Sequence, residues 1–219
     1  MENKACEENI IFPTSYFPPL FLAAAMAQHA SKEETIFIED CETFPKQTLR
    51  NRTVILTANG TMTLSVPIFR TQGNHTTTRE IGICYTERWN VNHWRAIVSA
   101  YNSSPYFLYY RDDVEAIINN RYSKLIDLND AITVFLAKKL KLNFNIQHTT
   151  DFLAKESYTH DYRDRFSYKH PETLPKANVY SQVFNDRMPF NPNVSILDLL
   201  FNLGPETKDY LLSIDLETE

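Results

Sequence analysis

Apolar residues in the first forty positions fall into short runs that predict two strands and a helix. Residues 10–12 and 35–39 have the length and composition of buried strands. Between them, Pro18 and Pro19 precede an apolar stretch that extends to Ala30. Because proline suits the first turn of a helix, we predict a helix from these prolines to about Ala30.

A hairpin pattern follows these elements. Two runs rich in apolar and β-branched residues flank Asn59 and Gly60. An Asn-Gly pair between two such runs predicts a β-hairpin, here over residues 53–66, with a type I′ turn. That turn places Ile55 opposite Leu64.

Apolar residues at helical spacing predict several helices in the second half of the chain. One stripe consists of Asn90, His93, Trp94, Ile97 and Tyr101. Ser104 and Pro105 are typical of the N-cap and the first residue of the next helix. A similar stripe continues to Leu140 after an interruption at residues 127–129.

The last part of the chain contains an irregular segment and one more helix. Residues 143–180 are polar, aromatic and poor in periodicity, and segments of this kind are often lids or binding segments. Ser195 and Asp198 predict a capping box, and Gly204 predicts the end of the helix that it opens. Together the patterns predict one α+β domain over residues 1–219, in which a mixed sheet that includes the hairpin is covered by several helices from the second half.

Composition narrows the possible classes of function. The chain has 219 residues and a net charge of −5, and an acidic chain lacks the basic face that non-specific nucleic-acid binding requires. No two of its four glycines fall within a phosphate-binding loop, which excludes a Walker P-loop and a dinucleotide-binding fingerprint. Its three cysteines form no CxxC pair, and histidines and carboxylates do not occur at metal-site spacing. We therefore predict neither a cofactor nor a metal.

The apolar run from Tyr16 to Ala27 has the length of a signal-peptide core but not its surroundings. Two prolines interrupt it, and Glu2, Glu7 and Glu8 precede it where positive charge is expected. The run is too short to cross a bilayer, and no other segment could do so. We therefore expect a cytoplasmic protein.

Candidate chemistry is concentrated in residues 44–52, FPKQTLRNR, which contain three cations. In an extended strand residues two apart share a face, so Lys46, Arg50 and Arg52 are expected to point the same way. Guanidinium groups on one face suit a phosphate or pyrophosphate, whose oxygens they bind in pairs. The alternative is a charged edge strand that discourages aggregation.

His93 and its neighbours admit a catalytic and a structural interpretation. Histidine is the usual general base near neutral pH, but a histidine on an apolar helical stripe is more often a satisfied core residue. Trp94 and Tyr101 could stack against a sugar or belong to the core. Cys41 precedes the basic segment, where a cation would raise its reactivity, but no fixed base partner is recognisable for it.

The whole string of motifs resembles the WbqC-like protein family. The matching pieces, in order, are IEDCETFPKQTLRNR, the ANG hairpin, LSVP, the HW helix, SSPYF, LND, YSQVF and SILDLLFNLGPE. They extend from about Tyr16 to Glu206. Two features depart from the family pattern: residues 12–18 lack a His-Gln pair, and Cys41 stands where histidine is common.

The resemblance implies work on O-antigen or other bacterial cell-surface sugars, with N-acylation of a nucleotide-linked amino sugar as the expected reaction. His93 would take the amine proton. The residues expected to bind the substrate are Lys46, Gln47, Arg50, Asn51, Arg52, Trp94 and Tyr101. The three cations among them would hold a pyrophosphate or another phosphate group.

The alternative is a binding or accessory protein of a sugar-assembly complex, without turnover of its own. The missing His-Gln pair and the absence of a recognisable triad favour it. Binding of an RNA-borne acyl donor is a weaker idea, which the acidic net charge disfavours. The expected partner is a nucleotide-linked sugar or another phosphate-bearing small molecule.

Overall fold

Strands dominate the first half and helices the second in the computed structural model, which describes residues 10–170 and 173–216. The strands are β1 (Ile10–Pro13), β2 (Ile36–Glu39), β3 (Arg52–Thr57), β4 (Gly60–Ser65), β5 (Ile68–Phe69), β6 (Gly82–Ile83), β7 (Ile146–His148) and β8 (His160–Asp161). The helices are α1 (Leu20–Ser31), α2 (Trp89–Tyr101), α3 (Phe107–Asn119), α4 (Leu125–Leu140), α5 (Ile196–Leu203) and α6 (Thr207–Ser213). The predicted α+β class is confirmed, although the hairpin forms a sheet of its own.

A parallel sheet with the strand order β7-β2-β1-β8 lies at the centre of the fold. Its two middle strands carry the apolar runs found in the sequence, and Ile10 pairs with Ile36. Both residues are fully buried, as expected for a parallel sheet that is covered on both faces. Because all its strands run the same way, the residues that follow them meet at one edge of the sheet.

Helix α1 connects β1 to β2 and is buried on nearly every side. A helix that is apolar all round belongs in the core, and α1 packs against β2, α5 and α6. The Gln28 side chain on its last turn donates to the carbonyl oxygens of Leu211 at 3.2 Å and Ile214 at 2.7 Å. No helix within residues 10–170 and 173–216 has the length and hydropathy needed to cross a membrane.

The hairpin forms as predicted, but its register differs from the predicted one by two residues. The predicted type I′ turn is wrong, because Asn59 does not have the positive φ that this turn requires. Ile55 lies opposite Met62 and not Leu64. The turn closes between Thr57 and Gly60, and glycine tolerates the φ of 102° found there. The Thr57 hydroxyl donates to the Gly60 carbonyl oxygen at 2.8 Å. This side-chain hydrogen bond helps to close the turn one residue earlier in the chain than predicted.

Helix α3 begins at Phe107, and the prediction of Ser104 as its N-cap is wrong. Residues 104–106 form a turn, in which the backbone N–H of Tyr106 donates to the carbonyl oxygen of Phe201 at 3.0 Å. A long-range backbone hydrogen bond therefore fixes this segment, where the sequence suggested a local cap.

Helix α4 runs without the interruption predicted at residues 127–129. Asn129 is 1% exposed, and its carboxamide donates to Thr14 Oγ1 at 3.0 Å and to the Arg50 carbonyl oxygen at 2.9 Å. Asparagine is a weak helix former, but here its side chain satisfies buried groups of two other segments.

The segment 143–180, predicted to be irregular, contains β7 and β8, the two outer strands of the parallel sheet. They have three and two residues, which is too short for a pattern of alternation to be visible in the sequence.

The capping box predicted for α5 is only half formed. Ser195 Oγ accepts from the backbone N–H of Leu197 at 3.2 Å, as an N-cap does. The Asp198 carboxylate is buried and turns away from the helix end, where it accepts from the Tyr180 hydroxyl at 2.6 Å and the Gln182 carboxamide at 2.8 Å.

We expect Asn129→Ala to destabilise the protein by about 2–3 kcal/mol, because it leaves a buried hydroxyl and a buried carbonyl without their donor. Asn119→Ala, an exposed asparagine in the last turn of α3, is the control and should cost less than about 1 kcal/mol. Urea unfolding measures both changes. Equal losses in the two variants would contradict the role given to Asn129.

Candidate functional site

The basic stretch at residues 44–52 folds into turns, and the prediction of an extended strand is wrong for residues 46–51. Gln47 has a φ of 58°, which is incompatible with a strand. The backbone N–H of Tyr16 donates to the Leu49 carbonyl oxygen at 3.1 Å and holds the turns against the end of β1. Consequently Arg50 and Arg52 do not share a face.

Arg50 points into the protein. Its side chain is 1% exposed and pairs with Glu42 through two nitrogens, one of them at 2.9 Å from Oε2. It also donates to the Arg163 carbonyl oxygen at 3.4 Å. Burial raises the pKa of the Glu42 carboxyl against the opposing effect of Arg50. The guanidinium charge is thus used to neutralise a buried carboxylate.

Arg52, the first residue of β3, faces a cavity of about 210 Å³. The cavity lies between the hairpin, the turns at residues 47–49 and the segment 167–169. Its lining residues are Gln47, Thr48, Leu49, Arg52, Val54, Thr61, Thr63, Ser167, Tyr168, Lys169 and Asn193. We call it the Arg52 cavity.

The Arg52 cavity has the chemistry of an anion site. Arg52 Nε is buried without a hydrogen-bond partner, and within the described ranges its guanidinium pairs with no carboxylate. Thr48 Oγ1 is also buried, and it has no hydrogen-bond partner among the residues that the structure describes. Lys169 adds a second cation, and none of the described lining residues is acidic. A buried donor without an acceptor is costly, and a phosphate oxygen would supply the acceptor.

Most of the other predicted binding residues have structural contacts. Lys46 is exposed and outside the cavity lining. The Asn51 carboxamide donates to the Val66 carbonyl oxygen at 3.0 Å. Tyr101 is fully buried, and its hydroxyl accepts from the backbone N–H of Leu56 at 3.1 Å.

Trp94 stacks on Phe107, with ring centres 6.1 Å apart and an interplanar angle of 18°. Gln47 and Arg52 are therefore the two members of the predicted set that the structure brings together around the cavity.

His93 lies in the core beside Tyr16. It is 6% exposed, and its Nδ1 is 3.0 Å from the Tyr16 hydroxyl. The ring also has a hydrogen bond to the backbone of Ser65. Burial lowers the pKa of His93 to about 4, so the imidazole is neutral at physiological pH. It does not line the Arg52 cavity.

Cys41 is placed beside Arg79, whose guanidinium is 3.0 Å from Sγ. Burial nevertheless raises the pKa of the thiol, so Cys41 is not an activated nucleophile. Within residues 10–170 and 173–216, no group of three or more His, Cys, Asp or Glu side chains is arranged to hold a metal ion.

Sequence reasoning found part of the Arg52 cavity and missed the rest. Period-two alternation places Arg52 and Val54 on one face of the hairpin, as expected, and the observed register places Thr63 opposite Val54. Ser167 and Lys169 were missed because they come from the irregular segment, more than a hundred residues away along the chain.

Comparison with known proteins places the sequence beside one family. A family model described as the WbqC-like protein family matches residues 15–166. A curated relative, "Uncharacterized protein Rv1507c" of Mycobacterium tuberculosis, is 26% identical over 207 residues, which cover 82% of this chain and 87% of the relative. No solved structure matches the chain.

We expect Arg50→Ala to lower the free energy of unfolding by about 3 kcal/mol, because it removes the cation that neutralises the largely buried Glu42 carboxylate. Arg52→Ala should change it by less than about 1 kcal/mol, since that side chain pairs with no carboxylate in the described part of the chain. Chemical denaturation of both variants measures the difference. A large loss in the Arg52 variant would show that it too is structural.

We expect the stability contributed by His93 to depend on pH. Its pKa is about 4 in the folded protein and 6.5 for an unperturbed histidine, so the unfolded chain takes up a proton first as the pH falls. Wild type should therefore lose about 3 kcal/mol relative to His93→Gln between pH 6.5 and pH 4, and no more below that. Urea unfolding across this range measures the loss; a constant difference would contradict it.

Proposed function

Because the chain belongs to the WbqC-like protein family, we propose that it binds a phosphate-bearing sugar, such as a nucleotide-linked sugar, for bacterial cell-surface polysaccharide assembly. The observation that carries the proposal is the Arg52 cavity, with its unpaired, partly buried guanidinium. A buried guanidinium nitrogen without an acceptor is unfavourable, and a bound phosphate oxygen would supply that acceptor.

The proposed contacts follow from the types of side chain in the cavity. The Arg52 fork donates to two phosphate oxygens, and Lys169 supplies a second positive charge. The hydroxyls of Thr48, Thr61 and Ser167 are donors or acceptors for sugar hydroxyls.

The size of the cavity limits what it encloses. At about 210 Å³ it is smaller than the sites of roughly 300–1,000 Å³ that enclose drug-sized ligands. It suits a phosphate and an adjoining sugar ring. In the proposed complex the nucleoside of a nucleotide-linked sugar lies outside the cavity.

N-acylation of an amino sugar is the second candidate function, and the position of His93 counts against it. Transfer requires a base within hydrogen-bond distance of the amine, directly or through one water. The neutral His93 ring has the right protonation state, but it is buried, bonded to Tyr16 and absent from the cavity lining. Binding of a phosphate-bearing sugar, without catalysis by His93, is therefore the better supported function.

We expect saturable binding of nucleoside diphosphate sugars or sugar phosphates, and at least about tenfold weaker binding by Arg52→Gln, because a hydrogen bond to a charged group is lost. Arg187→Gln removes an exposed arginine that pairs with Asp186, and it should bind like wild type. Isothermal titration calorimetry compares the three proteins. Failure of every sugar phosphate to bind, or equal binding by the Arg52 variant, would refute the proposal.

The second candidate is tested with the same ligands. The protein is incubated with nucleotide-linked amino sugars and acyl donors, and the sugars are examined by mass spectrometry. A mass gain that requires the protein would make acylation the preferred function. Saturable binding without any product supports the binding function.

A further inference from the structure

A second cavity, of about 290 Å³, lies at the carboxyl ends of β2 and β7. Phe37, His148, Thr149 and Tyr158 are among its lining residues, and it shares none with the Arg52 cavity. In open sheets with parallel strands, the edge at the carboxyl ends is where ligands bind. We call this space the His148 cavity.

His148, the last residue of β7, is held between two carboxylates. Its Nδ1 is 3.2 Å from Asp40 Oδ2, and its Nε2 is 3.4 Å from Asp130 Oδ2. The imidazole is 36% exposed, so one side of the ring remains open to a ligand. Both carboxylates raise the pKa of His148, to about 10, and the protonated ring is a donor at both nitrogens near neutral pH.

The two carboxylates differ in how firmly they are held. The Asp40 side chain is 8% exposed, and it accepts a hydrogen bond from Arg79 at 2.6 Å. The Asp130 side chain is 41% exposed and comes from the surface of α4. Asp40 therefore fixes the ring, while a ligand that approaches Nε2 can displace Asp130.

A buried carboxylate that orients a histidine in the wall of a cavity, with the other ring nitrogen held only by a half-exposed carboxylate, can present an imidazole to a ligand. His148 has this arrangement and His93 does not, because His93 is enclosed in the core. The exposed carboxylate of Asp151 also lines the His148 cavity and disfavours a strongly anionic ligand. Hydroxyl and aromatic side chains complete the walls.

We propose that the His148 cavity is a second ligand site, in which His148 Nε2 donates a hydrogen bond to the carbonyl oxygen of a small uncharged molecule. Asp40 is the positioning residue. Asp130 accepts the hydrogen bond from Nε2 until the ligand replaces it. The donated hydrogen bond polarises the carbonyl group. The site is independent of phosphate binding at Arg52.

Nuclear magnetic resonance of the full chain with labelled histidines tests the arrangement. We expect the His148 ring to titrate well above pH 7 in wild type and at lower pH in both Asp40→Asn and Asp130→Asn. The Nδ1 proton should stay protected from exchange in Asp130→Asn and lose that protection in Asp40→Asn. Asp127→Asn, an exposed carboxylate on the same helix, is the control and should leave His148 unchanged. Titration of His148 below pH 7 in wild type would overturn the proposal.

Acetamide is the probe for the ligand. Its addition should shift the resonances of His148 Nε2–H and Thr149, more strongly in Asp130→Asn, where Nε2 is released. The shifts should vanish in His148→Gln, with the remaining spectrum confirming that this variant is folded. Arg52→Gln should respond like wild type, which separates this site from the phosphate site. Shifts that persist in His148→Gln, or none in wild type at saturating acetamide, would refute the second site.

Discussion

Glu39 is a carboxylate with no exposed surface at the end of β2, and the surrounding segments are arranged to satisfy it. Its oxygens accept from the backbone N–H of Cys41 at 2.9 Å, from the Thr149 hydroxyl at 3.0 Å and from Arg163 Nη1 at 3.1 Å. An ion that is buried without partners costs several kcal/mol, so these contacts are obligatory. They join the residues that follow β2, β7 and β8 into one network. The positions of the segments that follow these three strands depend on that neutralisation.

The need to neutralise buried carboxylates also explains why Arg50 and Arg52 differ in position. Glu42 follows Glu39 by three residues and takes Arg50 as its partner, while Arg163 is shared between Glu39 and Asp161. Arg52 is left on the outer face of the hairpin, and no carboxylate in residues 10–170 and 173–216 pairs with it. Residues two apart in sequence therefore have opposite roles, one closing the interior and one facing a cavity. Arg52 therefore faces the cavity because the buried carboxylates Glu42 and Glu39 pair with other arginines, Arg50 and Arg163.

Local patterns predicted the local parts of this structure. The hairpin, α1, α2 and the end of α5 at Gly204 follow from turn chemistry and periodicity, which act within a few residues. What failed depended on partners far along the chain. Tyr106 is fixed by Phe201, Asn129 by Thr14, and Arg50 faces inward because the backbone turns at Gln47. The sequence drew attention to the basic stretch, but its division into an inner and an outer arginine depends on the fold.

The outer strands β7 and β8 have a consequence for the way the protein folds. The middle strands β1 and β2 are joined by α1 and can pair early, because only about two dozen residues separate them. Both edges of that pair stay unpaired until β7 and β8, within residues 146–161, join the sheet. More than a hundred residues of chain separate β2 from β7. Closing so long a loop is entropically costly and slows folding. Until then the nascent protein exposes two unpaired backbone edges, which makes this interval its period of greatest susceptibility to aggregation.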